Sequence, residues 1–586
     1  MKQKTKFIKI LFLLISVLII VFLFLILNKE IFVKETPKIE EEKEKSIVAG
    51  GIVPHHLLAS ELIERFFKQL SLYEGIENIV ILAPDHYRKA EKQEVRFLTS
   101  YYLEELKINE SVINNLLKRN PLIKIDERDV LSDQGISSLL VYFSKYFNKK
   151  QFIPFLISPL TSEEEIKNLI DEINNLLPQN TIIIGSVDFG HYLPQSLLYL
   201  HDVKSIRVLL NFEVNEFLNL DVDSWQALYG VRYFARLKKQ EKPIIIGHKT
   251  SFDYFEEAPK ESELFKNGGT SYFSVIFEEG GEESISNQFG ILMVGDIMMG
   301  RKVEDFTNQF GLSYPFLNIK NIFRGFDIVC GNLEGPVMEK APSIPLTSVS
   351  FAYPIEVIKE LKKIGFNLLT LSNNHSLDKG LEVLKQTRRY LIESGIQPLG
   401  DYRLCNKDYY YYYKNLLFVG ANLVYQNENC VSELVKNIKD IKEKDPSTFI
   451  IVIPHWGTEY VHYPNDFQKE TAHLLIDAGA DLIVGHHPHV VQSIEKYRDK
   501  LIFYSLGNFV FDMYFSKAVQ EELGVGLALS PKEVTFYLIP FKSKKSQLFL
   551  MEDEERKGFL NWLATVSPPC LHEEIKSGKI IVKINN

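Results

Sequence analysis

A short stretch near the end of the chain, GHHPHVVQ, holds three of its 14 histidines, His486, His487 and His489. The apolar run DLIV precedes it, so the cluster falls where a buried strand would end. Neutral imidazoles are common ligands of Mn, Fe and Zn. The stretch therefore predicts a metal site at a strand end.

Five other apolar runs in the second half of the chain also end in polar side chains. These are the side chains of Asp296, Asn332, Glu334, Asn374, His375, His455 and Asn508. Each alone is typical of a turn or a helix cap. Together they combine carboxylates, amides and imidazoles, which favours a site for Mn, Fe or Zn. Two ions roughly 3.5–4 Å apart would polarise a phosphoryl oxygen and activate water.

The first half of the chain carries a second set of such residues. VPHH places His55 after one apolar run, APDHY places His86 after another, and SVDFGHY places Asp188 and His191 after a third. Three histidines and a carboxylate suit a single Fe, Cu or Zn ion. The alternative is that they line a polar cleft or cap helices.

Both sets need a scaffold that gathers strand ends at one edge. Runs such as NIVILAP, NTIIIGS and TFIIVIPH are apolar on both faces and alternate with helical stretches. This pattern is typical of α/β domains with largely parallel sheets, in which ligands bind at the carboxyl ends of the strands.

Length and composition indicate more than one folded domain. The chain has 586 residues, of which 45% are hydrophobic and 24% charged, and its net charge of -9 gives no basis for nucleic-acid binding. The predicted segments are a cytoplasmic N-terminus (1–9), a transmembrane signal anchor (10–27), a charged linker (28–45), a first domain (46–279), a linker (280–289), a second domain (290–550) and a C-terminal tail (551–586).

The N-terminal prediction rests on the run ILFLLISVLIIVFLFLIL, 18 residues interrupted only by Ser16. Such a run can span a bilayer core of roughly 30 Å. Four lysines precede it and keep the N-terminus in the cytoplasm, with the bulk of the chain outside. A disulfide between Cys405 and Cys430 is compatible with that location.

The second half resembles a known family through GDIMMGR, GNLEGP, SNNHSLDKG, PHWGTEY, GHHPHVVQ and SLGNFVFD, in that order. It is similar to the CapA/PgsA-type capsule and poly-γ-glutamate biosynthesis proteins. The resemblance implies a calcineurin-like metallophosphoesterase fold, a four-layer α/β sandwich with a two-metal centre. Asp296, Asn332, His455 and one or two of His486, His487 and His489 become the leading ligands.

The resemblance also implies roles for the N-H element, Asn374 and His375, as a ligand and a transition-state contact. Two departures stand out. Met298 occupies the position of a histidine in the wider superfamily, and GNLE replaces a second GDxxD box, so that Asn332 is neutral and Glu334 replaces the lost charge.

The first half resembles the MEMO family, also called AmmeMemoRadiSam system protein B, through Pro54-His55 and the D-x-x-H element of Asp188 and His191. This implies a fold related to class III extradiol dioxygenases, with His55, His86 and His191 as ligands and Asp188 as their partner. The family commonly adds a cysteine, and here no cysteine precedes Cys330.

Together the two resemblances imply a membrane-anchored cell-envelope protein with a metal-dependent hydrolase- or transferase-type domain. His375, Asn374 and His455 are the expected catalytic residues. The expected partners are poly-γ-glutamate, a capsule polysaccharide or a phosphorylated precursor, within a capsule synthesis complex. The alternative is a non-catalytic component that binds metal or polymer, with the MEMO-like domain as a binding scaffold or a metal-dependent oxidoreductase.

Overall fold

The computed structural model describes residues 47–177, 179–254, 268–281, 288–343, 345, 347–402 and 407–584. The first half is built on one ten-stranded sheet. Its path across the sheet is Ile123–Ile125, Phe97–Thr99, Gln151–Ile157, Asn78–Pro84, Thr181–Ser186, Val48–Val53, Gly269–Glu278 and His191–Leu193. Lys107–Ile108 and Lys242–Thr250 pair with Gln151–Ile157 and Gly269–Glu278.

The centre of this sheet is parallel. Gln151–Ile157, Asn78–Pro84, Thr181–Ser186 and Val48–Val53 pair in parallel as neighbours. The last three are buried along their whole length, because helices cover both faces of the sheet. Parallel pairing places the residues that follow these strands at one edge.

Nine α-helices lie among the described residues of the first half. They are Ser60–Leu70, Lys89–Lys92, Glu110–Arg119, Glu127–Ser132, Gln134–Ser137, Leu140–Phe147, Glu163–Leu176, Gln195–Asn211 and Trp225–Lys238.

The second half contains two large sheets. The nine-stranded sheet follows the order Gln397–Leu399, Leu368–Thr370, Ile328–Leu333, Phe289–Ile297, Glu521–Leu529, Glu533–Lys544 and Gln547–Leu550, with Asn508–Val510 on Phe289–Ile297 and Lys579–Lys583 on Glu533–Lys544. The six-stranded sheet follows the order Tyr411–Tyr413, Leu416–Asn422, Phe449–His455, Leu482–Val484, Lys500–Phe503 and Ile494–Tyr497. Val337–Met338 and Tyr353–Pro354 form a separate two-stranded pair.

The two large sheets of the second half share one apolar core. Ile291 and Met293 from the larger sheet and Phe418 and Ile451 from the smaller sheet belong to it. Two further cores pack helices on the outer faces of the sheets. The α-helices of this half are Lys302–Phe310, Glu356–Ile364, Leu381–Glu393, Glu428–Lys444, Asp466–Ala478, Asp553–Val566 and His572–Ser577.

The segment beyond residue 550 is folded into this second half. Phe559 and Leu563 lie in the core between the sheets, and Lys579–Lys583 pairs antiparallel with Glu533–Lys544. Cys430, at the start of Glu428–Lys444, is disulfide-bonded, and Cys405, with which the sequence is compatible as a partner, lies outside the described residues.

The helix Gln195–Asn211, called the bridging helix below, joins the two halves. Leu198 and Leu200 pack in a core of the second half, whereas Val208 and Leu209 pack in a core of the first. A helix that is apolar on several faces is buried on several sides. Arg207, which is 1% exposed, pairs with Asp327 of the second half.

The fold class is mixed α/β, as predicted. The predicted fold also included an N-terminal transmembrane helix, and that part of the prediction is corrected. Among the residues that the structure describes, no helix combines the length and apolar character needed to cross a membrane. The predicted anchor at residues 10–27 lies outside those residues.

Candidate metal centres

The second-half site forms where three strands of the two facing sheets end. Asp296 is paired in register with Asn332 on one side and with Asn508 on the other. His455 ends Phe449–His455 and bridges to His486. The Nδ2 of Asn332 donates to Oδ1 of Asp296 at 2.8 Å and lies 3.4 Å from Nδ1 of His455. These residues are therefore gathered at one point, as the sequence predicted.

Two glycines make this close approach of strands feasible. A Cβ atom at Gly295 would lie 2.0 Å from the carbonyl oxygen of Gly507. Gly507 itself has φ +77°, a region that other residues rarely adopt. The G-D and G-N pairs of the sequence thus place Asp296 and Asn508 side by side.

His487 and His489 reach the same point from the loop that follows Leu482–Val484. The backbone N–H of His487 donates to Oδ2 of Asp296 at 3.3 Å. Nδ1 of His489 lies 3.5 Å from that oxygen, and its Nε2 lies 3.7 Å from Oε1 of Glu334. Both histidines have positive φ, 98° and 58°. Non-glycine residues held there cost of order 1–3 kcal/mol each and cluster at functional sites.

His486 is not brought into this group. Its Nε2 bonds to the carbonyl oxygen of Val294 at 3.0 Å, and its ring is buried. The backbone turns directly after His486, because His487 has φ 98°, so the ring of His486 faces the sheet while His487 and His489 face the site.

The N-H element adds a second layer around the site. Oδ1 of Asn374 lies 2.9 Å from Nε2 of His455. Nδ1 of His375 lies 2.9 Å from Asp378, and its Nε2 lies 3.7 Å from Glu334. The sequence reading missed Asn373, whose Nδ2 donates to Oδ1 of Asn332 and to the carbonyl oxygen of Leu333, both at 2.9 Å. Its position beside Asn374 in SNNH was the available signal.

The charges of the second-half site call for a cation. Burial raises the pKa of Glu334 to about 7, and both of its carboxylate oxygens are buried without a hydrogen-bond partner. Burial alone would lower the pKa of His489, but Glu334 and Asp296 outweigh it and raise the pKa to about 9. Ligand atoms of Asp296, Glu334 and His489 lie within 4.8 Å of one another. Two buried carboxylates and imidazoles are a donor set that fits a divalent ion.

A second potential ligand group overlaps the first at His489. It consists of Glu459, His487 and His489, with the exposed Glu459 following the strand that ends at His455. Burial and the neighbouring His489 lower the pKa of His487 to about 4, which keeps its imidazole neutral and able to bind metal. The sequence prediction missed Glu459, because it considered only polar residues directly after an apolar run. In PHWGTEY those are the first residues, and Glu459 comes later.

The first-half site forms at the ends of three adjacent parallel strands. The backbone N–H of His55 donates to Oδ1 of Asp188 at 3.1 Å, and Nε2 of His55 lies 3.5 Å from Oδ2. The rings of His55 and His86 lie 5.0 Å apart. His191 shares a potential ligand group with Asp188. All four predicted residues are thus brought together.

Two acidic residues of the first-half site were missed. Oδ1 of Asp133 lies 2.7 Å from Nδ1 of His86. Asp223 belongs to both potential ligand groups of this site, with His55 and His86 and with Asp188 and His191. Neither follows an apolar run, since Asp133 lies between two short helices and Asp223 precedes a helix N-cap.

Both halves of the chain, α/β domains with histidine and carboxylate clusters at strand ends, match known protein families. Residues 290–513 match the family model described as bacterial capsule synthesis protein PGA_cap. Residues 26–242 match the model described as Memo-like protein.

Individual relatives agree with these matches. The second half is 34% identical over 265 residues to the capsule biosynthesis protein CapA of Bacillus anthracis, covering 39% of this chain and 62% of the relative. It is 36% identical over 252 residues to the PGA biosynthesis protein CapA of Bacillus subtilis (strain 168), covering 38% and 63%. A MEMO1 family protein of Saccharolobus islandicus is 23% identical over 249 residues, covering 39% and 84%.

The first half of the chain therefore matches the Memo-like model and the second half matches the PGA_cap model, which confirms both predicted resemblances. It spans a little over three fifths of the length of the two CapA relatives.

Proposed function

We propose that this protein acts in the synthesis or export of a capsule polymer such as poly-γ-glutamate. Its second half would be a metal-dependent hydrolase or transferase that acts on the polymer or on a phosphorylated precursor, within a capsule synthesis complex. The similarity to the two CapA proteins supports the process. The observation that carries the metal dependence is Glu334, which is fully buried beside Asp296 and His489 and whose two carboxylate oxygens accept no hydrogen bond.

Asp296, Glu334, His487 and His489 would hold the ion, and His489 would release its proton when the ion binds. A divalent cation bound there supplies polarisation of a phosphoryl or acyl oxygen and activation of water. His455 is held between Asn332 and Asn374, and burial keeps its pKa well below the ordinary value. It is therefore neutral and orients the amides around the ion.

His375 is the residue best placed to move a proton. Burial lowers its pKa, but the hydrogen bond with Asp378 and the charge of Glu334 outweigh burial, and the pKa lies above the ordinary value. Its ring is tilted against that of Phe351, with the ring centroids 4.4 Å apart, and its side chain is 17% exposed. A protonated imidazole at the edge of the site can stabilise negative charge and protonate a leaving group.

The test compares Glu334→Gln, His375→Asn and the control His473→Asn in the full chain. His473 lies outside the cluster, stacks on Tyr497 and pairs with Glu495. Bound metal is measured on purified protein, and polymer is measured in a strain whose own gene is replaced. We expect Glu334→Gln to lose metal and polymer, His375→Asn to keep metal but lose polymer, and the control to keep both.

Other outcomes separate the two functions that the site allows. If His375→Asn makes as much polymer as wild type while Glu334→Gln makes none, the half is a non-catalytic metal-binding component of the assembly. If Glu334→Gln binds metal and makes polymer normally, the metal-dependent proposal fails.

An extracytoplasmic location for the folded chain is part of this proposal. Cys430 is disulfide-bonded, and structural disulfides persist in oxidising compartments. Alkylation of protein taken directly from cells, followed by mass measurement, should find Cys430 protected until a reductant is added. A freely alkylated Cys430 would argue against this location.

A further inference from the structure

The first-half site holds two imidazoles with the same orientation toward its centre. Nδ1 of His86 lies 2.7 Å from Asp133, and the backbone N–H of His86 donates to the other oxygen of Asp133 at 3.0 Å. Nδ1 of His55 lies 3.2 Å from Oγ of Ser186. Histidines that bind metal are commonly fixed in this way through the nitrogen that does not bind it. Nε2 of each ring is left for a ligand.

One of the two carboxylate oxygens of Asp223 has no hydrogen-bond partner in the structure. Its Oδ2 accepts the backbone N–H of Asp188 at 3.0 Å and lies 3.4 Å from Nε2 of His55. Its Oδ1 is buried without any hydrogen-bond partner. Buried unsatisfied polar atoms are rare in folded proteins, and an ion is one of the few explanations for them.

The position of Asp223 is built into the fold. The residue before it, Val222, bridges to Phe189, and the residue after it, Ser224, caps the helix Trp225–Lys238. These contacts fix the loop beside Asp188. Ligand atoms of Asp223, His55 and His86 lie within 4.8 Å of one another.

The chemistry of the donors narrows the choice of ion. Between residues 2 and 292 the sequence contains neither cysteine nor methionine, so the first half offers no sulfur ligand. Soft ions such as Cu(I) are selected by thiolate and thioether ligands, whereas two histidines and one carboxylate form the set typical of Fe(II) sites with open coordination positions.

We propose that Asp223 is the anionic ligand of a two-histidine, one-carboxylate site with His55 and His86, built for a divalent ion of the Fe(II) or Mn(II) class. Asp133 is a positioning residue that orients His86. The absence of sulfur ligands disfavours Cu(I), one oxidation state of the copper expected from sequence. The site is independent of the proposed capsule function, because it uses none of the second-half residues.

The experiment is equilibrium dialysis of the full chain against Mn(II), with bound metal counted per chain. Asp223→Asn should lose one equivalent relative to wild type, with an affinity loss greater than the about 10- to 100-fold expected for an outer-sphere partner. His86→Ala should lose the same equivalent. Metal in the second half serves as an internal reference and should be unchanged in both variants.

The matched control is Asp171→Asn, another first-half carboxylate, which accepts the hydroxyl of Tyr233 at 2.9 Å away from the site. It should bind as much Mn(II) as wild type. Asp223→Glu keeps the carboxylate and should retain part of the binding, which keeps the test informative if Asp223→Asn fails to fold by circular dichroism.

Two results would overturn the proposal. One is a folded Asp223→Asn variant that binds Mn(II) with wild-type stoichiometry and affinity. The other is a wild-type chain whose first-half equivalent is taken by Cu(I) in preference to Mn(II) in a competition dialysis.

Discussion

The two metal centres are built from the same sequence pattern but balance their charges differently. In the second half, Asp296 and Glu334 share His489, whose raised pKa makes it a built-in cation. In the first half, Asp188 and Asp223 lie side by side facing His55, whose pKa is lowered by burial. The second site therefore holds a positive charge without metal, whereas the first does not. A strand-end histidine becomes a counter-ion or a neutral ligand according to the carboxylates around it.

The largest expected effect is that of Asp296→Ala. The change leaves Asn332 and the protonated His489 without their buried acceptor. Breaking a buried pair in this way costs about 3–5 kcal/mol, and the second-half metal should be lost. Denaturant unfolding and metal content measure both effects. First-half metal should remain, and its loss would mean that the sites are not separate.

The control for that change is Asp477→Ala, an exposed acid paired with Arg498. Exposed ion pairs contribute roughly 0–1 kcal/mol. A stability loss in this control as large as that of Asp296→Ala would remove the special role given to the buried carboxylate.

The second largest expected effect is that the metal-free protein loses stability as the pH rises into the mildly alkaline range. A histidine whose folded pKa is raised stabilises the fold fully below its unfolded pKa near 6.5, and this contribution disappears as pH rises through the folded pKa. For His489 the window runs from 6.5 to about 9, and its contribution is about 3 kcal/mol at most. Unfolding measured at several pH values should show this loss in wild type and less of it in His489→Gln.

In the first site, the pH dependence of stability that His55 contributes has the opposite sign. Burial lowers the pKa of His55, so its contribution is lost as pH falls below about 6.5 and is absent from the alkaline window. His55→Gln should therefore leave the alkaline loss intact. If His55→Gln abolished it and His489→Gln did not, the assignment of charges to the two sites would be reversed.

The smallest expected effect is on the orientation of His86. Asp133→Asn removes a charge and places an amide N–H where the backbone N–H of His86 now donates. Loss of such a partner typically weakens metal binding about 10- to 100-fold. Mn(II) titration measures it, with Asp129→Asn, whose carboxylate pairs with Lys89, as the control. Equal affinity in both variants would mean that Asp133 does not position His86 for metal binding.

Much of both sites was predictable because the residues that follow buried parallel strands converge at one edge. This rule alone was enough to predict that Asp296, His455 and His487 lie at the site. His486 could not be separated from His487 and His489 by this rule, because the separation depends on the positive φ values that turn the backbone after His486. Asp133 and Asp223 could not be recognised, because in sequence each resembles an ordinary cap at the start of a helix.

The bridging helix was beyond the reach of sequence patterns, because which surface an apolar helix covers depends on contacts distant in the chain. His201 shows the result, with one ring nitrogen 2.8 Å from Asp221 of the first half and the other 2.9 Å from the carbonyl oxygen of Ile322 of the second.

This helix also determines how the protein can be dissected. It begins two residues after the strand His191–Leu193, at the rim of the first metal centre, and it ends against Asp327. Scission within residues 280–289 would strip Leu198 and Leu200 of their neighbours and leave Arg207 facing water. Neither separated half would then keep its native packing, so metal binding by either centre has to be measured in the intact chain.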